Sequence, residues 1–180
     1  MLRSNCWAVL ALAASATRTM QLGTGVSVPG LRQAPVTANG IATINRLAPG
    51  RCFLSLGTGN TAARTLGQRP MRLAEFEEYI KVVKALIRGE EAELQDSGGS
   101  HKIQFQMLEH NFIDVEHPIK LYIAGFGPKA QQISGSYGDG LISGIPRGGD
   151  VSTMLQNARL GAEKVGHTLA MGFELSLIHI

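Results

Sequence analysis

A parallel β/α array is the fold class this sequence predicts, and three observations predict it. The segment Leu22-Gly23-Thr24-Gly25 recurs 34 residues later as Leu56-Gly57-Thr58-Gly59, each copy closing a short apolar run and preceding a helical pattern. Strand, glycine turn and helix repeated at that spacing build parallel β/α units. Runs such as Ile119-Lys120-Leu121-Tyr122-Ile123-Ala124 are near-continuously apolar, as in a sheet covered on both faces. The 22 glycines gather at strand ends rather than in low-complexity tracts.

Each element then has its own local reason. The run Trp7 to Ala16 follows Arg3 and ends in Ala14-x-Ala16, which imitates a signal peptide. The favoured reading is a helix over 5–16, capped by Ser4 or Asn5 and ended by Thr17-Arg18, because the apolar strand 19–23 follows at once. The run is too short to span a bilayer. Pro35 opens a helix over 35–47, since its missing N–H would be orphaned there anyway, and Pro49-Gly50 stops it. Strand 52–56 and helix 61–66 follow. In helix 72–88, Leu73, Phe76, Ile80, Val83 and Ile87 form one apolar stripe, early Glu75, Glu77 and Glu78 and late Lys84 and Arg88 match the helix dipole, and Gly89 ends it.

Segment 90–117 breaks the rhythm. It is polar, holds Gly98-Gly99, and then alternates Ile103-Gln104-Phe105-Gln106-Met107, which predicts an insertion with a short hairpin or edge strand there. Strand 119–124, helix 128–136, strand 140–143, helix 151–165 and strand 169–175 complete the array. Five core strands are fewer than the roughly eight of a closed barrel, so the array is an open sheet or a piece of a barrel. The 180 residues form one domain with a real core.

Composition narrows the function. The net charge of +3 is mild, and the 17 Lys and Arg are scattered without interleaved aromatics, which argues against nucleic-acid binding. Cys6 and Cys52 lack metal or disulfide spacing, and the five histidines lack ligand spacing, so a metal site is not expected and a cytoplasmic protein is. There is no GxxxxGK[ST] and no GxSxG, and no GxGxxG with a ribose-binding acid follows the first strand. A P-loop NTPase, an α/β-hydrolase and a standard dinucleotide fold are therefore disfavoured.

What remains is the row of glycine turns at the strand ends: Gly23-Thr24-Gly25, Gly57-Thr58-Gly59, Gly125-Phe126-Gly127-Pro128, and Gly140 to Gly144. Ligand sites of such arrays lie at the carboxyl ends of the strands. The third turn enters a helix through Pro128, so its N–H groups, the helix dipole and Lys129 suit a phosphate. Asn60 reads either as a site residue or as an ordinary helix cap before Thr61.

At these residues the chain resembles the luciferase-like monooxygenase superfamily of flavin and deazaflavin oxidoreductases, most closely the branch that includes methylenetetrahydromethanopterin reductase. The resemblance rests on Thr17 to Val26 followed by Pro29, Arg32 and Pro35. It continues through Leu47-Ala48-Pro49-Gly50-Arg51, Leu54 to Gly59, Glu78-Tyr79-Ile80, Leu86 to Gly89, Tyr122-Ile123-Ala124 with Gly127-Pro128, and Gly138 to Ile142. It implies a partial TIM (β/α)8 barrel, roughly units three to seven, with an insertion before the fifth barrel strand. It implies that units one, two and eight lie outside this chain, and the tail Leu175 to Ile180 looks unlike the family's seventh strand.

The resemblance also implies site roles. Gly25-Val26 takes the place of a bulge with a non-proline cis peptide that backs the cofactor ring. Gly57, Thr58, Gly59 and Asn60 would border the ring, and Gly125, Phe126 and Gly127 would cradle its phosphate. Some relatives carry a carboxylate proton donor at the place of Asn60. An amide cannot donate that proton, so a different acid or plain substrate binding is implied, and no catalytic residue is assigned. The implied activity is hydride transfer between reduced coenzyme F420 and a small organic substrate, with a possible homodimer in the full-length parent. The alternatives are an FMN-dependent monooxygenase, a phosphate-binding lyase or isomerase on a similar barrel, and a non-catalytic barrel fragment. For the lyase, no catalytic Lys or Glu sits at a strand end, and Lys120 is expected to point into the helix layer.

Overall fold

A computed structural model describes residues 4–96, 98–144 and 150–177. Five strands pair in the order β1 (Leu22–Gly23), β2 (Cys52–Leu56), β5 (Lys120–Ala124), β6 (Gly140–Ser143) and β7 (Glu174–Leu177). Every neighbouring pair is parallel. Strand order follows chain order with no switch, so the sheet is an open, curled segment of a (β/α) barrel rather than a doubly wound sheet. A separate antiparallel hairpin, β3 (Ala92–Asp96) and β4 (Gly99–Ile103), lies in the predicted insertion.

Helices α1 (Cys6–Ala16), α2 (Ala34–Leu47), α3 (Asn60–Thr65), α4 (Leu73–Leu86), α5 (Pro128–Tyr137) and α6 (Val151–Lys164) fill the connections. The Asn5 side chain caps α1 by accepting from Trp7 N at 3.1 Å and Ala8 N at 3.4 Å. The stripe of α4 buries Phe76, Ile80 and Val83 completely, against Ile41 of α2 and Leu54, Leu56, Leu121 and Ile123 of the sheet. Helices α5 and α6 meet backbone to backbone. A Cβ on Gly135 would lie 1.8 Å from Ala158 O, and one on Gly161 1.9 Å from Gln132 O, so only glycine permits this crossing.

The insertion is anchored from below. Asn45 Nδ2 donates to the carbonyls of Asp114 (3.2 Å) and His117 (2.9 Å). The buried Asp114 carboxylate accepts from the N–H groups of Glu116 and His117 and pairs with His117 Nδ1 at 2.8 Å. His117 thus closes a loop, as its isolated position in the sequence suggests.

Four expectations are corrected. The first strand is only Leu22–Gly23: residues 19–21 lie outside the ladder, which opens with Leu22 N–H donating to Arg51 O at 2.8 Å, and beyond Gly23 the chain leaves it at Thr24 and rejoins it at Ser27, which bridges Leu56. The hairpin is 92–103, not the alternation 103–107: Asp96 pairs with Gly99 at its closed end, and Leu94, Ile103 and Phe105 pack on the core. The last strand is 174–177, not 169–175, since its register is fixed by Glu174 opposite Gly140, and Leu175 to Leu177 of the suspect tail pair with β6. Residues 178–180 lie outside the described residues. Lys120 points away from the helix layer, which Leu121 and Ile123 face, and pairs instead with Glu174.

Candidate active site

The carboxyl ends of β1, β2 and β5 converge on a cleft of about 290 Å³, near the lower end of the range for small-molecule sites. Its walls are Val26 and Val28 from the β1 end, Gly57 to Ala62 from the β2 end, and Ala124 and Phe126 from the β5 end. Six of the nine predicted residues meet here: Val26, Gly57, Thr58, Gly59, Asn60 and Phe126. Gly25, Gly125 and Gly127 do not line it.

The β1 wall is a bulge that Thr24 makes feasible. The buried Thr24 hydroxyl donates to Ser55 O at 2.9 Å and accepts from Ser55 N at 3.1 Å. One side chain thereby replaces the pair of ladder bonds that β1 gives up, and buried backbone groups stay satisfied. Pairing resumes beyond it, with Ser27 N donating to Ser55 O at 2.7 Å and Gly57 N to Ser27 O at 3.2 Å. Between these points Gly25 and Val26 stand out from the sheet, joined by a cis peptide bond. The Ser27 and Ser55 hydroxyls beside the bulge are buried and have no partner among the described residues.

The β2 turn is shaped to fit that bulge. A Cβ on Gly57 would lie 2.9 Å from Val26 Cγ2, and one on Gly59 would lie 2.1 Å from Val28 Cγ1. Gly59 also has φ +79°, which strains any other residue. These glycines therefore serve the packing of the two valines under the cleft. Thr24, Val28, Thr61, Ala62 and Ala124 were not singled out in advance for the site. The repeated Gly-Thr-Gly was a usable signal for Thr24, whereas Val28 carries none.

Asn60 is not a helix cap. Gly59 occupies the cap position, Asn60 is the first helical residue, and its side-chain oxygen accepts from Arg64 Nε at 2.6 Å. The β5 turn divides its labour. A Cβ on Gly125 would meet Ala130 C at 2.8 Å, so Gly125 is a packing residue, whereas the position of a Gly127 Cβ is open. Gly127 caps α5 without a side-chain hydrogen bond, leaving the helix N-terminus available, and Phe126 is 57 % exposed.

A larger groove of about 530 Å³ lies between the 29–34 turn, α4 and β3. It contains none of the predicted residues, and its glutamates are engaged: Glu75 with Arg72, Glu78 with Lys81, Glu93 with Ser100. No cluster of three or more His, Cys, Asp or Glu able to hold a metal occurs among the described residues.

The sequence model of one family, luciferase-like monooxygenase, matches residues 2–178. The chain belongs to that family. Among curated proteins it is similar to an F420-dependent glucose-6-phosphate dehydrogenase of Beutenbergia cavernae, 34% identical over 173 residues, covering 89% of this chain and 49% of the relative. It is also similar to a 5,10-methylenetetrahydromethanopterin reductase of Methanolobus tindarius, 28% identical over 164 residues, covering 89% and 48%. The chain thus spans about half the length of the curated relatives it matches. Among solved structures, an F420-dependent secondary alcohol dehydrogenase holding an F420-acetone adduct superposes with TM-score 0.74 at 22% identity, covering 97% of this chain and 53% of that one. The coenzyme F420-dependent tetrahydromethanopterin reductase of Methanopyrus kandleri superposes with TM-score 0.72 at 20% identity, covering 96% and 53%. These likenesses establish the luciferase-like fold, of which this chain holds a five-strand segment.

Proposed function

We propose that this luciferase-like chain belongs to an oxidoreductase that transfers a hydride between reduced coenzyme F420 and a small organic substrate. The observation that carries the reading is the cleft itself: an apolar floor of Val26, Val28 and Ala124, an exposed aromatic at Phe126, and a polar edge of Thr58, Asn60 and Thr61. Those residues fit a flat, partly polar ring system, and the open position at Gly127 on an uncapped helix N-terminus fits its phosphate. Support comes from the F420-dependent relatives and structures above.

When bound, the deazaflavin supplies the hydride. The chain's own residues do the rest. The valines form a rigid wall that sets where the ring lies. Phe126, exposed at the cleft, would shield the ring from water. Thr58, Asn60 and Thr61 orient polar atoms along the edge. The α5 N-terminus and Lys129 hold the anionic tail.

FMN is the second reading of the same cleft, supported by an FMN-bound type II Baeyer-Villiger monooxygenase that superposes with TM-score 0.71 at 15% identity. Fluorescence titration of this chain with coenzyme F420 and with FMN separates the two. Tighter binding of F420, displaced by inorganic phosphate at high concentration, is the expected result; tighter FMN binding with oxygen uptake on reduction supports the alternative.

The finer setting belongs to the same proposal. Two free cysteines, Cys6 half-buried and Cys52 buried, agree with a cytoplasmic protein. Among the described residues no helix is long and apolar enough to cross a membrane. The substrate is a small molecule rather than a nucleic acid.

A further inference from the structure

His167 stands where two helices end. Helix α6 closes with Gly166 at φ +82°, and the His167 N–H donates back to Ala162 O at 3.2 Å, so the imidazole leaves the chain just beyond the helix. Its Nδ1 lies 3.0 Å from Thr168 O and its Nε2 3.2 Å from Ser136 O. Ser136 belongs to the last turn of α5, whose carbonyls lack helical partners, and among the described residues no backbone N–H takes its oxygen. Both ring nitrogens therefore face carbonyl oxygens, which only accept. A neutral imidazole carries one N–H and makes one of the two bonds; the imidazolium carries two and makes both. A positive ring at this place also meets the negative ends of two helix dipoles.

The ionisable groups on the surrounding elements are turned elsewhere or exposed. On α6, Glu163 is exposed and the Lys164 amine donates to the Gln132 side chain of α5. On α5, the Tyr137 hydroxyl donates to Glu77 of α4 at 2.7 Å. Beyond α5, the Asp139 carboxylate accepts from Leu121 N at 2.8 Å. The ring's own two contacts are to backbone carbonyls. We propose that His167 is a pH-sensitive clamp: protonated, it ties the turn after α6 to the last turn of α5; neutral, it releases one of the two carbonyls. The clamp secures the crossing that Gly135 and Gly161 bring backbone to backbone, and α5 leads out of the β5 turn that brings Phe126 to the cleft. A bond that only the protonated ring makes contributes stability that is present in acid and is lost as pH rises through the imidazole range, about pH 6.5.

Urea denaturation of the full chain tests the clamp at about pH 5.5 and about pH 8, on either side of that range. His167→Gln and His167→Arg are measured beside the parent, and comparing chains at the same pH cancels the other four of the five histidines. The residue is exposed, so all three chains should fold, which circular dichroism checks. In acid the folding equilibrium constant of the parent should exceed that of His167→Gln by about two- to fivefold, the worth of a cation at an exposed helix C-terminus. At the higher pH the two should agree, since each then donates one bond. Arginine is charged at both values, so any gap between His167→Arg and His167→Gln should not change with pH. A parent-to-Gln gap that is the same at both values, as a merely structural ring would give, overturns the proposal. So does an Arg-to-Gln gap that closes at the higher pH, because the titration would then lie in another group.

Discussion

The Tyr122 hydroxyl donates to Glu174 Oε2 at 2.5 Å across the bare backbone of Gly140. The three residues share one row of the sheet, Tyr122 opposite Gly140 and Gly140 opposite Glu174. Because the middle strand has no side chain there, the outer two reach each other, and Lys120 closes the group by pairing with the same carboxylate. Next to it the Tyr122 ring packs edge-on to Phe53 with centroids 5.5 Å apart. On the face away from the helices, large side chains thus lie over small ones.

Gly140→Ala should be strongly destabilising. The new Cβ would stand 2.5 Å from Glu174 O and 2.6 Å from the Tyr122 ring, and Glu174 O is backbone that cannot yield cheaply. Overpacking of this kind costs about 1–3 kcal/mol or more. Urea denaturation of the variant should show a lower midpoint with an unchanged slope; a midpoint equal to that of the parent would refute the packed row.

The same group predicts an acid-side effect. Lys120 and then Tyr122 hold the Glu174 carboxyl below the usual carboxylate range. A depressed folded pKa contributes stability that is present above the unfolded value, about 4.3, and is lost as pH falls through the folded value. The gap in stability between the parent and Glu174→Gln should therefore be constant from neutral pH down to about pH 5 and close below about pH 4. It should be small, because the carboxylate is largely exposed and screened. A gap that widened in acid would contradict the pairing.

Thr24→Val tests the bulge. The isosteric change removes both hydroxyl bonds to Ser55 and leaves its buried N–H unpaired, which costs about 1–3 kcal/mol. Coenzyme F420 affinity should fall as well, because the Val26 wall loses its support. Thr24→Ser keeps both bonds and should retain most of the stability and affinity. If Val and Ser variants melt together, the hydroxyl is not what holds the bulge.

Gly127→Asp and Gly125→Ala should separate binding from folding. The first places a carboxylate at an open position on the α5 N-terminus, where it competes with a phosphate, so the protein should fold normally and bind coenzyme F420 at least about tenfold more weakly. The second drives a Cβ to 2.8 Å from Ala130 C and should lower the melting temperature. Unchanged coenzyme affinity in Gly127→Asp would make the loop a packing turn only.

Cys52 should be inert. Burial pushes its thiol up to about 11, with Arg51 opposing and Asp114 adding to the shift, so it stays protonated near neutral pH. A thiol reagent added to the native chain should label Cys6 first and Cys52 only on unfolding. Rapid native labelling of Cys52 would contradict its burial.

Much of the fold was legible because it depends on short-range pattern. The Leu-Gly-Thr-Gly repeat marked two strand ends, and the spacing of Phe76, Ile80 and Val83 marked the helix that covers them. Pro128 marked the entry to α5. These signals act within a few residues, so the sequence by itself determined a parallel β/α array with its glycine turns along one edge. The resemblance of the motifs to one family added the barrel.

Contacts between distant segments were settled only in three dimensions. Nothing near Gly140 in the chain reveals that Tyr122 and Glu174 meet across it, so the last strand was expected too early. The first strand starts only at Leu22, where its N–H finds the carbonyl of Arg51, and its exit at Thr24 is stabilised by Ser55, thirty-one residues away. Gly125 and Gly127 are alike in sequence, yet the α5 backbone crowds one and leaves the other open. Asn60 read either as a site residue or as a cap; it lines the cleft, Gly59 takes the cap position, and an arginine one helical turn later takes its oxygen. Local chemistry determined which elements form and where turns fall. Register, crowding and the direction in which a polar side chain is spent depend on what the rest of the chain brings alongside, and only the tertiary structure decided them.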